Sequence, residues 1–470
     1  MMEKILKPIA LLSMTIFIFA CGKDKETVLP NDIIRSSVRE FPTKSSINFK
    51  FALSEDEVVA KAAQFFMGLE KSGKENLGTR SVYSINLDEK VPQVKTVVRT
   101  INYGKDNIEQ VPVYVINYSD KKSNVAGGYV VLTGDKRINN ILAYSDTGSW
   151  GSEEPLLQNF LDIFWENVDA LIKNELATNS FQIDTISHAG RAVHPPCVLC
   201  EYYSEYSYVD NAKRLFEPAL WSQLDPYNGK LAPVCTPPPQ GYSLSYAVGC
   251  VATAMGNIMA FHKKPASGSY VNYLGQTINP AYNWNTMLSS QYASSLSQQG
   301  KEMVQNILAE IGQKVFMQYG CVIRNPTTGL PSGGSGSNMA NARAGFAAMT
   351  YTTAPFGIDY NYNAVVTEIN ANRPIFVCGS SVSNQYTFFN SHAWVIDGVN
   401  SQTVVEKKYR YCSTVPTGVH NPLLEDTVYS YVNYVYCNLG AENPSNYNGY
   451  YHSAIFSFSP SETIILTNIK

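Results

Sequence analysis

Apolar residues recur at helical spacing in three places along the chain. Val58, Ala62, Phe65, Phe66 and Leu69 mark one helix face. Leu157, Phe160, Leu161, Phe164, Val168 and Leu171 mark a second, and Val251, Ala254, Met255, Ile258 and Met259 a third. Ser54-Glu55-Asp56-Glu57 introduces the first as a capping box, Ser54 and Glu57 satisfying open N–H groups at a helix start. Between the first two faces, runs from Val111 to Tyr118, Gly128 to Leu132 and Asn139 to Tyr144 read as strands, separated by polar, Gly-containing turns. The pattern predicts a small α+β domain over residues 51–178. Residues 179–196, weakly patterned around Arg191, read as an exposed connector of the kind that is nicked by proteases. Residues 197–470 then form a second, larger domain, and no solenoid-type repeat runs through either.

The amino terminus has a different character. Lys4 and Lys7 precede an apolar stretch from Pro8 to Ala20 that is too short for a stable membrane span and reads as an export signal over residues 1–21. Ile18-Phe19-Ala20-Cys21 is similar to a bacterial lipobox, which would lipidate Cys21 and anchor the protein to a membrane without a spanning helix; plain secretion is the alternative. Residues 22–50 lack periodicity and read as a tether. The expected location is the bacterial cell envelope or the outside of the cell.

The charge balance narrows the field of partners. Lys plus Arg total 36 against 39 Asp plus Glu, so the basic footprint of a nucleic-acid binder is missing and no nucleic-acid partner is expected. Nine cysteines is an odd number, so complete internal pairing is impossible. Cys197-Val198-Leu199-Cys200, preceded by His188 and His194, lacks the paired spacing of a zinc site and reads as a local disulfide or two unpaired thiols. The Gly/Ser-rich stretch Gly329–Ser337 has no Gly-Lys-Ser/Thr ending to cradle phosphate; a loop bordering a cleft is the better reading.

The third helix carries the chemistry. Cys250 falls in its first turn after flexible Gly249, where a helix amino terminus biases a thiol toward thiolate. A thiolate nucleophile needs an imidazole, and six histidines are available. His188 and His194 lie in the connector, His262 sits about three turns along the same helix, His420 is in a polar loop and His452 in a late strand. His392 opens the strand His392-Ala393-Trp394-Val395-Ile396-Asp397-Gly398, and it follows Cys250 at the interval of roughly 130–150 residues kept by papain-type enzymes.

Gly249-Cys250-Val251-Ala252-Thr253-Ala254 and the His392–Gly398 run resemble the streptopain family of papain-like cysteine peptidases. Trp221-Ser222-Gln223 with Pro226-Tyr227-Asn228, Tyr282-Asn283-Trp284, Arg373-Pro374, and Asn438-Leu439-Gly440 followed by Asn448-Gly449-Tyr450-Tyr451 extend the likeness across residues 215–458. The resemblance implies a papain-like fold, a helical part beside an antiparallel sheet or barrel, preceded by an inhibitory α+β prodomain. It implies Cys250 as nucleophile, His392 as acid–base partner, Gln223 as oxyanion donor and Asn438 as the residue orienting the imidazole. Substrates would be proteins or peptides, the prodomain an intramolecular inhibitor, and no metal or organic cofactor is required.

Two departures stand out. The family commonly carries tryptophan beside the asparagine, where this chain has Leu439 and Ala441, and an insertion around Ser401 to Tyr429 separates His392 from Asn438. They motivate a second reading, an envelope-anchored binding module on a degenerate peptidase fold. A third, acyl transfer as in transglutaminases, would need Asp397 to orient His392, and five residues along a strand place the two on opposite faces.

Overall fold

The computed structural model describes residues 51–470 apart from 76–86, 104–106, 124, 139, 152–155, 187–198, 216–218, 236–244, 325–330, 382–390, 414–422, 442–446 and 458–461. The export signal, Cys21, the tether, His188, Arg191, His194, Cys197 and His420 lie outside the described residues. Residues 49–470 form one compact unit.

Helix α1 (Glu55–Glu75) starts at the expected capping box: Ser54 N–H donates to Glu57 Oε2 (2.7 Å) and Glu57 N–H to Ser54 Oγ (3.2 Å). Four strands follow, β1 (Lys90–Asn102), β2 (Ile108–Asp120), β3 (Ala126–Thr133) and β4 (Ile141–Ser145), then helix α2 (Gln158–Ile186) and strand β5 (Leu199–Arg214). A helical layer comes next: α3 (Cys250–His262), the hairpin β6 (Tyr270–Val271) and β7 (Thr277–Ile278), α4 (Trp284–Met287), α5 (Gln298–Lys314), the hairpin β8 (Val322–Arg324) and β9 (Pro331–Gly333), and α6 (Met339–Ala348). Strand β10 (Ile358–Asp359) and helix α7 (Tyr362–Asn370) lead into β11 (Ile375–Ser380), β12 (Ser391–Ser413), β13 (Leu423–Asn438), β14 (Gly449–His452) and β15 (Glu462–Leu466).

The long strands share one antiparallel sheet in the order β1-β2-β3-β4-β14-β13-β12-β11-β15-β10, with β5 also paired to β12. The leading strands join the trailing ones at β4 and β14, where Tyr144 opposes Tyr450 and Ala143 opposes Tyr451. The insertion after His392 builds the outer arms of the β12–β13 hairpin, whose register runs out to Arg410 opposite Leu423. Strand β5 follows β11 along the other edge of β12, from Arg214 opposite Gly398 to Leu199 opposite Ser413.

Three cores form, and only one belongs to the trailing segment alone. Helices α3, α5 and α6 pack Val251, Met255, Ile258, Leu308 and Phe346 against Phe376, Ala393, Val395 and Leu466 on one face of the sheet. On the other face, α2 buries Phe160, Phe164 and Val168 among Trp394, Ile396 and Tyr451. Helix α1 buries Phe65, Phe66 and Leu69 against Tyr144, Tyr434, Tyr436 and Tyr450. Tyr144 stacks on Tyr450 (centroids 5.1 Å, 9°), meets Tyr434 edge-on, and accepts from Asn400 Nδ2 at 2.8 Å.

The packing therefore does not break near Thr178, where the sequence pattern ends the first domain. Helix α2 continues to Ile186, and its apolar face is covered by the strands of the trailing segment. The strands of the trailing segment cover part of the apolar surface of α1 and α2, so the two segments share their cores. Among the described residues, Cys235 and Cys321 form a disulfide and Cys250, Cys378 and Cys437 are free.

Candidate active site

Cys250 is the first residue of α3, as the apolar spacing predicts. Gly249 before it has φ of 92°, and a Cβ there would meet Met317 Sδ and Cε at 2.7 Å, so only glycine fits this approach. Residues Val251 to Ala260 are all buried, which fixes the helix rigidly beneath a half-buried sulfur. Burial pushes the Cys250 thiol above its ordinary pKa, and the N–H groups of Ala393, Val251 and Cys250 itself pull against it. Three backbone donors thus face the sulfur, where they also favour a thiolate.

The same helix holds the Gln223 segment. Asn257 Oδ1 accepts from Trp221 N–H (3.1 Å), Thr253 Oγ1 donates to Ser222 O (3.4 Å), and Val248 N–H donates to Gln223 O (2.9 Å). Gln223 is 3% exposed and its backbone is tied two residues ahead of Cys250. Gly256 lets Trp221 and Leu308 close on the helix; a Cβ would stand 2.8 Å from Leu308 Cδ2. The Gly/Ser stretch borders this site as expected in its described part: Ser335 Oγ donates to Ala247 O at 2.6 Å.

His392 is arranged differently. It opens β12 opposite Gly379, and successive side chains of a strand point to opposite faces. Ala393 therefore joins the α3 core, while His392 and Trp394 face α2. The imidazole lies nearly parallel to the Trp394 indole (centroids 6.3 Å, 13°) and meets Phe160 of α2 edge-on at 6.1 Å. Its Nε2 is 3.0 Å from the Leu439 carbonyl, which only accepts, so Nε2 carries the proton. Burial pulls the His392 pKa down to about 4, the Leu439 bond acting the other way. Among the described residues, no hydrogen bond links His392 to Cys250.

The carbonyl that holds His392 is itself held. Leu439 N–H donates to Asn448 Oδ1 (2.8 Å), and Gly440 N–H donates to Asn438 Oδ1 (3.0 Å), closing a turn. Gly440 has φ of 74° and passes so close to Thr253 of α3 that a Cβ would approach to 3.0 Å. Tyr129 of β3 reaches this turn from the leading segment, its hydroxyl donating to Tyr447 O at 3.0 Å. Asn159 Nδ2 of α2 bonds Ser391 O (3.1 Å), and Leu156 packs on Gly334.

The structure thus gathers Cys250 and Gln223 on one face of the sheet and places His392 on the other, with Asn438 in the turn beside His392. Asp397 is engaged elsewhere, its Oδ2 3.4 Å from Arg214 Nε. Trp394, two residues along the same strand, stands beside the histidine, while Leu439 and Ala441 occupy the positions next to the asparagine where the resemblance implies tryptophan. Asn257, Thr253, Asn448 and Tyr129 are positioning residues that the sequence reading did not assign. The signal for Asn257 was a polar side chain on an otherwise apolar helix.

Residues 221–451 match the Peptidase C10 family and residues 52–172 match the Spi protease inhibitor family. The molecule is a cysteine endopeptidase that carries its own inhibitor-type segment. The chain is similar to the streptopain family of papain-like peptidases. It is 27% identical over 380 residues to streptopain of Streptococcus pyogenes, covering 75% of this chain and 80% of that one. Thiol protease/hemagglutinin PrtT of Porphyromonas gingivalis is 24% identical over 225 residues, 45% of this chain and 23% of that one. A solved structure of prointerpain A from Prevotella intermedia superposes with a TM-score of 0.43 at 18% identity, covering 79% of this chain and 98% of that one.

Proposed function

We propose that Cys250 and His392 form the catalytic pair of an exported proenzyme, kept apart until the leading segment is removed. The carrying observation is the convergence on the Cys250 sulfur of the α3 amino terminus and the Ala393 N–H, one residue from His392. Cys250 attacks the peptide carbonyl as thiolate, and the protonated His392 gives its proton to the leaving amine. Water then hydrolyses the thioester, with His392 taking its proton and returning one to the sulfur. The Gln223 side chain and the Cys250 N–H donate to the oxyanion, each such donor contributing about 3 kcal/mol to the transition state. Asn438 orients the imidazole once it has left Leu439.

Inhibition acts on the histidine. Phe160 covers the ring, Asn159 ties its strand, and Tyr129 braces the turn whose carbonyl holds Nε2. Cleavage in the connector releases these contacts. The signal over residues 1–21 exports the chain and Cys21 receives the lipid that retains it at the envelope.

The test is expression of residues 22–470 with and without Cys250→Ala under reducing conditions, following autoprocessing and casein cleavage. Only the parent should process itself and cleave casein; two folded, full-length, inert proteins would refute the assignment. Mass spectrometry of the mature amino terminus, from cells making the whole chain, reads the processing site and the fate of Cys21.

A further inference from the structure

The helical layer holds a cavity of about 380 Å³, one of whose lining residues, Met317, lies against Gly249. Aromatic side chains are prominent in its walls: Tyr246 and Tyr319 stack at 5.9 Å, with Tyr270, Tyr273, Phe316 and Met317 beside them, and Lys230, Asn272 and Gln313 add polar groups. The volume falls within the range of small-ligand and side-chain pockets. All lining residues come from the segment that follows the connector, so the inhibitory segment contributes nothing to its walls.

Two observations at its lip point to a ligand. Phe316 is 71% exposed and has φ of 50°, directly after α5, at a position where glycine or asparagine relieves the left-handed backbone. Neither packing nor backbone preference accounts for a phenylalanine there. Val271 (48%), Tyr273 (54%) and Leu274 (65%) are exposed on the adjoining β6–β7 hairpin, making a contiguous apolar rim of the kind that marks interaction sites. At the rim, Val271 N–H donates to Gln313 Oε1, which ties the hairpin to α5.

The occupant follows from where the pocket lies. Met317 lines it and also packs on Gly249, and Tyr246 stands four residues ahead of Cys250. We infer that this pocket binds an aromatic or large apolar side chain of the polypeptide substrate, at a position away from the scissile bond, and so selects what is cleaved. The inference rests on the assignment of Cys250 as nucleophile, since the chain passing over that sulfur is the one placed to fill the pocket.

The test uses the processed enzyme and fluorogenic dodecapeptides with one Trp moved position by position, each paired with its Ser counterpart, plus a blocked tripeptide anilide. At one position Trp should raise kcat/KM about tenfold through KM, as expected for burying part of an aromatic side chain. Phe316→Asn and Tyr273→Ser should each remove most of that gain and leave tripeptide hydrolysis as it was. Phe316→Asn should keep or raise Tm, because asparagine suits the left-handed backbone, whereas a merely structural Phe316 would lower it. A parent enzyme blind to Trp position, variants that retain the gain, or variants that lose tripeptide hydrolysis in parallel would each overturn the inference. Fluorescence polarisation with the Cys250→Ala full chain separates it from the peptidase assignment: about tenfold tighter binding of a Trp peptide than its Ser counterpart supports the pocket even if no peptide is cut, and equal binding overturns it.

Discussion

The two faces of β12 carry the two halves of the site, and they are built by different parts of the chain. On the Cys250 face, every element belongs to the peptidase: α3 ties down the Gln223 segment through Asn257 and Thr253, and Gly249 and Gly256 let the layer close. On the His392 face, the peptidase supplies the strand and the indole, while the inhibitory segment supplies Phe160, Asn159 and Tyr129. The core on the Cys250 face is thus built by the peptidase segment alone, and the core around His392 is shared. Bringing His392 to the Cys250 face would require the start of β12 and the Leu439 turn to rearrange, with α3 left as it is.

That contrast can be broken by mutation, beginning with Phe160→Ala. Truncating this fully buried ring should cost the proenzyme about 3–5 kcal/mol in urea unfolding and speed its processing. The processed enzyme, which lacks the residue, gains the same activity as the parent; slower processing would argue against Phe160 as a restraint. Next in size is the pH response of His392. Its pKa is about 4 in the fold against an ordinary 6.5, so the neutral ring contributes stability above pH 6.5 that is lost as the pH falls through 4. Between pH 7 and 4 the parent proenzyme should lose up to about 3 kcal/mol more than His392→Asn. His452, buried with its pKa also near 4, contributes equally to both and cancels. Parallel pH curves for the two proteins would show that His392 is not held neutral.

Gly256→Ala tests the other face. The added methyl presses on Leu308 and Trp221 and should cost about 1–3 kcal/mol in the proenzyme and the processed enzyme alike. A loss confined to the proenzyme would contradict an autonomous nucleophile layer. The smallest effect belongs to Ser54→Ala, which opens the capping box of α1 and should lower proenzyme stability by about 1 kcal/mol, read as a shift in the urea midpoint with no change after processing.

Local chemistry was legible in the sequence where its signals lie within one or two turns. The capping box, the α3 face and the position of Cys250 all appear where the spacing puts them. Strand β1 was not read, because its burial is mostly on the exposed side and its apolar residues do not alternate cleanly. Strand β5 was obscured by the Cys-x-x-Cys at its start; its sixteen residues are ordered by pairing with β12, about two hundred positions later in the chain. The shared sheet was equally invisible, since Tyr144 and Tyr450 announce no partnership in a linear pattern. The resemblance assigns roles to Cys250, Gln223, His392 and Asn438, but the side of the strand on which His392 lies is a property of packing with Phe160 and Trp394.

The joint between β4 and β14 sets the character of the enzyme that emerges. Once the leading strands depart, β14 becomes an outer strand with unpaired backbone groups, and Tyr434, Tyr436 and Tyr450 lose the cover of α1 and Tyr144. Activation therefore changes what the molecule adheres to as well as what it cuts. The freshly armed peptidase carries an aromatic, edge-exposed scar that will seek either its old partner or a new one, so clearing away the severed inhibitor is as much a part of switching on as severing it.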